Sequence, residues 1–240
     1  MLKNNRIKII AVTTFCAIET VLFFLVQCTR DNINIAVSYI SVILACLFMA
    51  TSFSKTSSYV FTQFGLIFTV FADYFLVVLD PIKQLPAMIF FSGTQIFYFL
   101  RLYLGEKSEQ KRKIHLILRV IISLVAIILT FVVLKDEADA VSVISMFYYA
   151  NLLTNIIAAS MQIKGNRLFL IGLVLFIMCD TAIGINELIN TYLESENASQ
   201  ITDAIFGKFN VPWLFYVPSQ TLIALSLTDF KTKREEKQSS

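Results

Sequence analysis

The sequence contains one histidine, His115, and four scattered cysteines. A zinc hydrolase built on several histidine ligands is excluded on ligand count. Cys16, Cys46 and Cys179 fall inside apolar runs and Cys28 at the end of one, with none of the spacings of a disulfide framework or a zinc site. Free cysteine is a common small apolar packing residue, so neither metal nor other cofactor is expected. Charge is scarce: Asp, Glu, Lys and Arg make up 15% of the chain against 57% hydrophobic residues, and the net charge is only +3. That balance excludes an ordinary soluble domain. It leaves no basic patch for nucleic acid, no coiled coil and no low-complexity tail. Glycine (7) and proline (4) are few, and only Pro218 interrupts an apolar run. The basic start followed by an apolar run has the outline of a signal peptide. It lacks a small-residue cleavage site, and Gln27 before Cys28 makes a poor lipoprotein signal, so the segment is read as a retained helix.

What the chain has in quantity is apolar runs of the length that crosses a bilayer, roughly 20 residues each. Eight are expected, near Ile7–Gln27, Asn34–Phe53, Val60–Leu79, Pro86–Leu104, Ile114–Leu134, Ala140–Ile163, Leu168–Ile189 and Val211–Thr228. Alternating ten-residue strands are absent, so the spans are helices and not a barrel. The fold expected is all-α, a polytopic membrane protein forming one integral domain over residues 1–240. Lys3, Arg6, Lys8, Lys55, Lys107, Lys111, Arg112, Lys113, Lys164, Arg167, Lys231, Lys233, Arg234 and Lys237 fall on one side of such a bundle. The other side has only Arg30, Lys83, Lys135 and Lys208. This bias places both termini, with a short basic tail at 229–240, in the cytoplasm and the 191–210 loop outside. The membrane is a cell membrane, or the endoplasmic reticulum in a eukaryote, where the Asn197-Ala198-Ser199 triplet would be a glycosylation sequon. Arg101 and Arg119, near the basic ends of their spans, are expected to snorkel as anchors.

One pattern occurs twice. The third span reads from Gly65 to Ala72-Asp73 and the seventh from Gly172 to Cys179-Asp180, with equal spacing and almost only apolar residues between. A carboxylate within a span costs at least about 2.5–3.5 kcal/mol on insertion scales and normally faces a bundle interior or a wet cavity. Two in matching contexts suggest one shared site. The repeat extends: Phe90-Phe91-Ser92-Gly93-Thr94-Gln95 in the fourth span parallels Phe215-Tyr216-Val217-Pro218-Ser219-Gln220 in the eighth. Four helices separate the copies, an even number, which implies two parallel four-helix repeats, about 1–105 and 106–240, related by an axis along the membrane normal. Asp73 and Asp180 would then lie at equal depth with Gln95 and Gln220 in reach. Tyr148, Asn151 and Asn155 share one helical face of the sixth span, flanked by Tyr149 and Thr154. With Asn186 and Glu187 they line either a polar pocket or a polar helix–helix seam. Glu19 is a third buried carboxylate.

These residues resemble the YhhN-type membrane proteins, whose animal members are lysoplasmalogenases. Ala72-Asp73 stands where the family usually has Gly-Asp. The stretch Gly172 to Asp180 is close to the family's Gly-x-x-x-Phe-x-x-Ser-Asp, and Tyr216 through Gln220 is similar to its closing Tyr-x-x-x-Gln helix. Gln95-Ile96-Phe97-Tyr98 resembles a His-x-x-Tyr segment with Gln in place of His, and Tyr148 is similar to a family Tyr in the sixth span. The family's Lys-Pro at the start of the second span is missing. The resemblance implies hydrolysis of the vinyl-ether bond of a lysophospholipid, with Asp73 and Asp180 as the acid–base pair. Gln95, Tyr98, Tyr148, Asn151, Tyr216 and Gln220 would bind substrate. Paired midplane carboxylates also describe a proton-coupled carrier, so the two classes stand side by side at this point.

Overall fold

In the computed structural model the described residues are 5–29, 32–51, 56–192, 202 and 210–228. Lys3, Arg30, Lys55, Lys208, the Asn197-Ala198-Ser199 triplet, most of the 191–210 loop and the 229–240 tail lie outside them. Among the described residues every regular element is helical: α1 (Asn5–Cys28), α2 (Asn32–Thr51), α3 (Ser57–Asp73), α4 (Gln84–Gly105), α5 (Glu109–Leu134), α6 (Ala140–Met161), α7 (Ile163–Tyr192) and α8 (Val211–Leu225). A five-residue π-helical segment, Tyr74–Val78, continues α3 directly after Asp73. Seven of these helices are long and apolar enough to cross a membrane, and α8 is a shorter apolar helix. Helices answer the bilayer's demand that backbone polar groups be satisfied within the segment.

Local sequence sets the ends. The Thr56, Ser108 and Asp139 side chains accept from backbone N–H groups in the first turns of α3, α5 and α6, which are otherwise without intrahelical partners. The link from α6 to α7 is the single residue Gln162, and in the first turn of α7 Gly165 has φ +99°, a conformation L side chains rarely adopt.

Packing neighbours run α3–α4–α6–α7–α8–α2 and back to α3. Outside this ring α1 lies against α2 and α8, and α5 against α6. The closest pairs are α3 with α4 and α7 with α8. Both depend on the glycine of the repeated stretch. A Cβ on Gly65 would stand 2.2 Å from Tyr98 Cε1, and one on Gly172 would stand 2.8 Å from Ile223 Cγ1 and 3.1 Å from the Ser219 carbonyl. Small residues let backbones approach where no hydrophobic drive separates helix from lipid. At Gly65 the approach brings the Thr94 hydroxyl within 3.2 Å of the Gly65 carbonyl and of Thr69 Oγ1.

The two arginines are not anchors. Arg101 is buried, 2% exposed. Its Nη1 donates to Thr62 Oγ1 (3.1 Å) and Ser226 Oγ (2.7 Å), its Nη2 to Asn166 Oδ1 (3.2 Å), and its guanidinium lies 3.8 Å over the Phe169 ring. It therefore ties α3, α4, α7 and α8 together. Arg119 turns inward from α5, donating to Asn155 Oδ1 (3.2 Å) and the Gln95 carbonyl (3.3 Å) over the Phe99 ring. Each finds acceptors in the bundle, so neither needs to reach for water.

Candidate active site

Asp73 ends the α-helical part of α3, where the backbone widens into the π-helical turn; such segments are frequent at functional sites. Its carboxyl is buried, and Oδ2 accepts from the Tyr216 hydroxyl of α8 at 2.5 Å. Asp180 lies within α7, partly exposed, and its Oδ2 accepts from the Tyr148 hydroxyl of α6 at 2.5 Å. Each Asp thus meets a Tyr from a neighbouring helix.

The two pairs adjoin. Phe176, fully buried on α7, has its ring centroid 5.6 Å from that of Tyr216 and 6.4 Å from that of Tyr148, and Phe91 closes on Phe176 and Tyr148 at 6.0 and 5.4 Å. Asp73 and Asp180 are within electrostatic range of one another across this aromatic cluster. Charged groups in a water-poor interior act on each other far more strongly than in bulk water. Two carboxyl groups, each held through one oxygen by a tyrosine of an aromatic cluster, are of the type that gives and takes protons in general acid–base chemistry.

None of the remaining site candidates is hydrogen-bonded to either carboxyl. Gln95 is fully buried, but its Oε1 and carbonyl accept from Asn155 Nδ2 at 3.0 and 2.9 Å, in the seam between α4 and α6 that Arg119 completes. Asn151 donates to the Phe147 carbonyl at 2.6 Å and reaches Ser123 Oγ on α5 at 3.5 Å. Asn151 and Asn155 therefore form a polar seam; of that face of α6 only Tyr148 bonds a carboxylate. Tyr98 packs edge-on against Phe169 and over Gly65. Gln220 is fully buried with no hydrogen-bond partner at either end of its amide. Tyr149 pairs with Thr181 at 2.9 Å, and Glu187 is exposed. Among the described residues no group of three or more His, Cys, Asp and Glu is placed to hold a metal ion.

Sequence reasoning gave Phe176 no role beyond its place in the stretch that resembles the family, and read Arg101 as an anchor. Arg101 carries a signal in hindsight: its partner Ser226 occupies the same repeat register in α8 that Arg101 holds in α4, counted from Gln95 and Gln220.

Comparison with curated proteins and with solved structures finds no match. A family model does match, over residues 42–227, which take in the second half of α2 and all of α3 to α8, with both Asp–Tyr pairs. By that match the chain belongs to the YhhN family.

Proposed function

We propose that the protein is a membrane-embedded hydrolase that cleaves the vinyl-ether bond of lysoplasmalogens or related ether lysophospholipids, releasing a fatty aldehyde and a glycerophospho-headgroup. The observation that carries the reading is the adjoining pair of Tyr-held carboxyl groups, Asp73–Tyr216 and Asp180–Tyr148. Family membership is compatible with it. Helix neighbours in the first half recur in the second: α3 with α4 as α7 with α8, α2 with α3 as α6 with α7, α2 with α8 as α6 with α4. This recurrence supports reading the chain as two parallel repeats with the site between them, and the bias of Lys and Arg supports cytoplasmic termini.

Vinyl-ether hydrolysis needs one proton donor and one proton acceptor. A carboxylic acid protonates the outer alkenyl carbon, and the ether oxygen's electron pair moves in to form an oxocarbenium ion. Water attacks the oxygen-bearing carbon of that ion while a carboxylate takes the water's proton. The hemiacetal then breaks its bond to the glycerol oxygen, which leaves with a proton from the acid formed on the base, while the hemiacetal hydroxyl returns its own proton to the first carboxylate as the aldehyde forms. One water is consumed, and both carboxyl groups end as they began. The base must be reachable by water. Asp180 keeps partial exposure and Asp73 is buried, so the roles assign Asp180 to the water and Asp73 to the alkenyl carbon. Tyr148 and Tyr216 fix the two carboxyl groups by one oxygen each, and Phe91 and Phe176 supply the apolar surface for the chain.

Aldehyde release by the purified protein in detergent tests this directly. Release from an alkenyl lysolipid, and none from its saturated alkyl counterpart, supports the hydrolase. A protein that releases no aldehyde yet moves a solute across sealed vesicles is a carrier.

A further inference from the structure

We infer that a cavity between α1 and α8 binds the primary ammonium group of a single-chain amphiphile through Glu19. Binding here is separate from the hydrolase reading: the cavity lies against α1, which the family match beginning at residue 42 does not include, and it can be measured without turnover.

Glu19 is buried, 2% exposed. Its Oε2 accepts from Ser41 Oγ of α2 at 2.6 Å, and its Oε1 has no hydrogen-bond partner. The side chain lines a cavity of about 340 Å³ together with Cys16, Thr20 and Phe23 of α1 and Pro218, Thr221 and Leu222 of α8. That volume is at the lower end of small-ligand pockets, roughly 300–1,000 Å³. Thr20 is exposed, so the cavity reaches the helix surface.

The lining accepts hydrogen bonds and hardly donates them. Thr20 gives its hydroxyl proton to the Cys16 carbonyl (2.7 Å) and Thr221 gives its own to the Val217 carbonyl (2.8 Å). Pro218 has no N–H, and the Cys16 thiol is only a weak donor. No lining residue is basic. The Thr221 hydroxyl lies close enough to the Glu19 carboxyl to share its proton with it, but no lining group carries a counter-charge, and an ammonium group supplies one together with N–H donors.

The other half of the bundle shows how the equivalent junction is completed from within the chain. There α5 packs on α6 as α1 packs on α2, and α5 sends in the cation Arg119, which bonds Asn155 of α6 and Gln95 of α4. At the α1 junction the peripheral helix brings an anion instead. Without a basic side chain to meet a phosphate, the head fits a long-chain amine, or an ethanolamine lipid whose phosphate stays outside the cavity.

The test is binding of radiolabelled dodecylamine to the purified full-length protein in nonionic-detergent micelles. Glu19→Gln, which keeps the side-chain shape, should weaken binding at least about tenfold, the scale of one charge-assisted hydrogen bond. Dodecyltrimethylammonium has the same charge and no N–H, and should bind wild type more weakly than the amine. Leu222→Trp fills the cavity from α8 while leaving Glu19 in the chain and should abolish saturable binding; it decides the matter if the Gln variant does not fold. Equal affinity of wild type and Glu19→Gln, or unchanged binding by Leu222→Trp, overturns the site. Displacement of bound amine by lysophosphatidylethanolamine upholds the site with a phospholipid source, and failure to displace upholds it with a phosphate-free amine.

Discussion

Tyr216 and Asp73 stand 143 positions apart in the chain, yet their side chains meet at 2.5 Å, joining α8 to the end of α3. Tyr148 does the same for Asp180 across α6 and α7. A buried acceptor that loses its donor costs about 1–3 kcal/mol. Tyr216→Phe should therefore lower the melting temperature in detergent by more than Tyr148→Phe, because Asp73 is buried and Asp180 is only partly so. Equal melting temperatures for wild type and Tyr216→Phe would remove the bond from the account.

Gly65 is the contact floor for Tyr98. A Cβ at Gly65 would fall 2.2 Å from the Tyr98 ring. Overpacking of this kind typically costs about 1–3 kcal/mol. Gly65→Ala should destabilise by that order, and Tyr98→Leu in the same chain should recover part of the loss. A double-mutant cycle in thermal unfolding reads the coupling; strict additivity would mean the two residues do not press on one another.

Arg101 holds three side chains from α3, α7 and α8 with one guanidinium. An ammonium cannot reproduce that planar fork. Arg101→Lys should lose at least one charge-assisted bond, about 1.5–3 kcal/mol, with unfolding in detergent as the measurement. A lysine variant as stable as wild type would show that the cation alone, and not its geometry, matters.

Asp139 lies outside the spans and caps α6, accepting from the Ser142 backbone N–H at 2.8 Å and from its hydroxyl at 2.5 Å. The Ser142 hydroxyl and then its N–H bond hold the Asp139 carboxyl below its ordinary value of 3.8. A carboxyl lowered in the folded state contributes stability that is complete above the unfolded value and is lost as pH falls through the folded one. Hydrogen exchange in the first turn of α6 should accelerate as pH drops below the ordinary aspartate range, after correction for intrinsic rates. Asp139→Asn, which keeps a capping oxygen, should remove that pH dependence. A variant with an unchanged pH profile would assign the effect to another group.

Much of this was legible in the chain. Span length and apolar content located the eight helices to within a few residues, because the bilayer fixes the length a helix must have. Gly65 and Gly172, and Asp73 and Asp180, could be named from their spacing, Tyr148 from its helical face and Tyr216 from the family resemblance. What spacing does not carry is which neighbour a helical face meets. Tyr148, Asn151 and Asn155 share a face in register, but Tyr148 reaches α7, Asn151 reaches α5 and Asn155 reaches α4. Arg101 failed for the same reason. Its depth suggested an anchor, and only the packing of four helices reveals Thr62, Asn166 and Ser226 around it. Glu19 was visible as a buried carboxylate, but its cavity is built by helices from opposite ends of the chain.

The central claim is that Asp73 and Asp180 act as one acid–base unit, and the direct measurement is aldehyde release from an alkenyl lysolipid by wild type, Asp73→Asn, Asp180→Asn and the double variant, each purified in detergent. Asn keeps the shape and a hydrogen-bonding group but removes both the transferable proton and the charge. General acid and base roles contribute typically about 10²–10⁴-fold. Each single change should cut the rate by that order while the protein still folds, and the double variant should be little slower than the slower single one, because groups that act as a unit are not additive. Near-normal aldehyde release by both single variants would make the carboxyl groups structural and contradict the account.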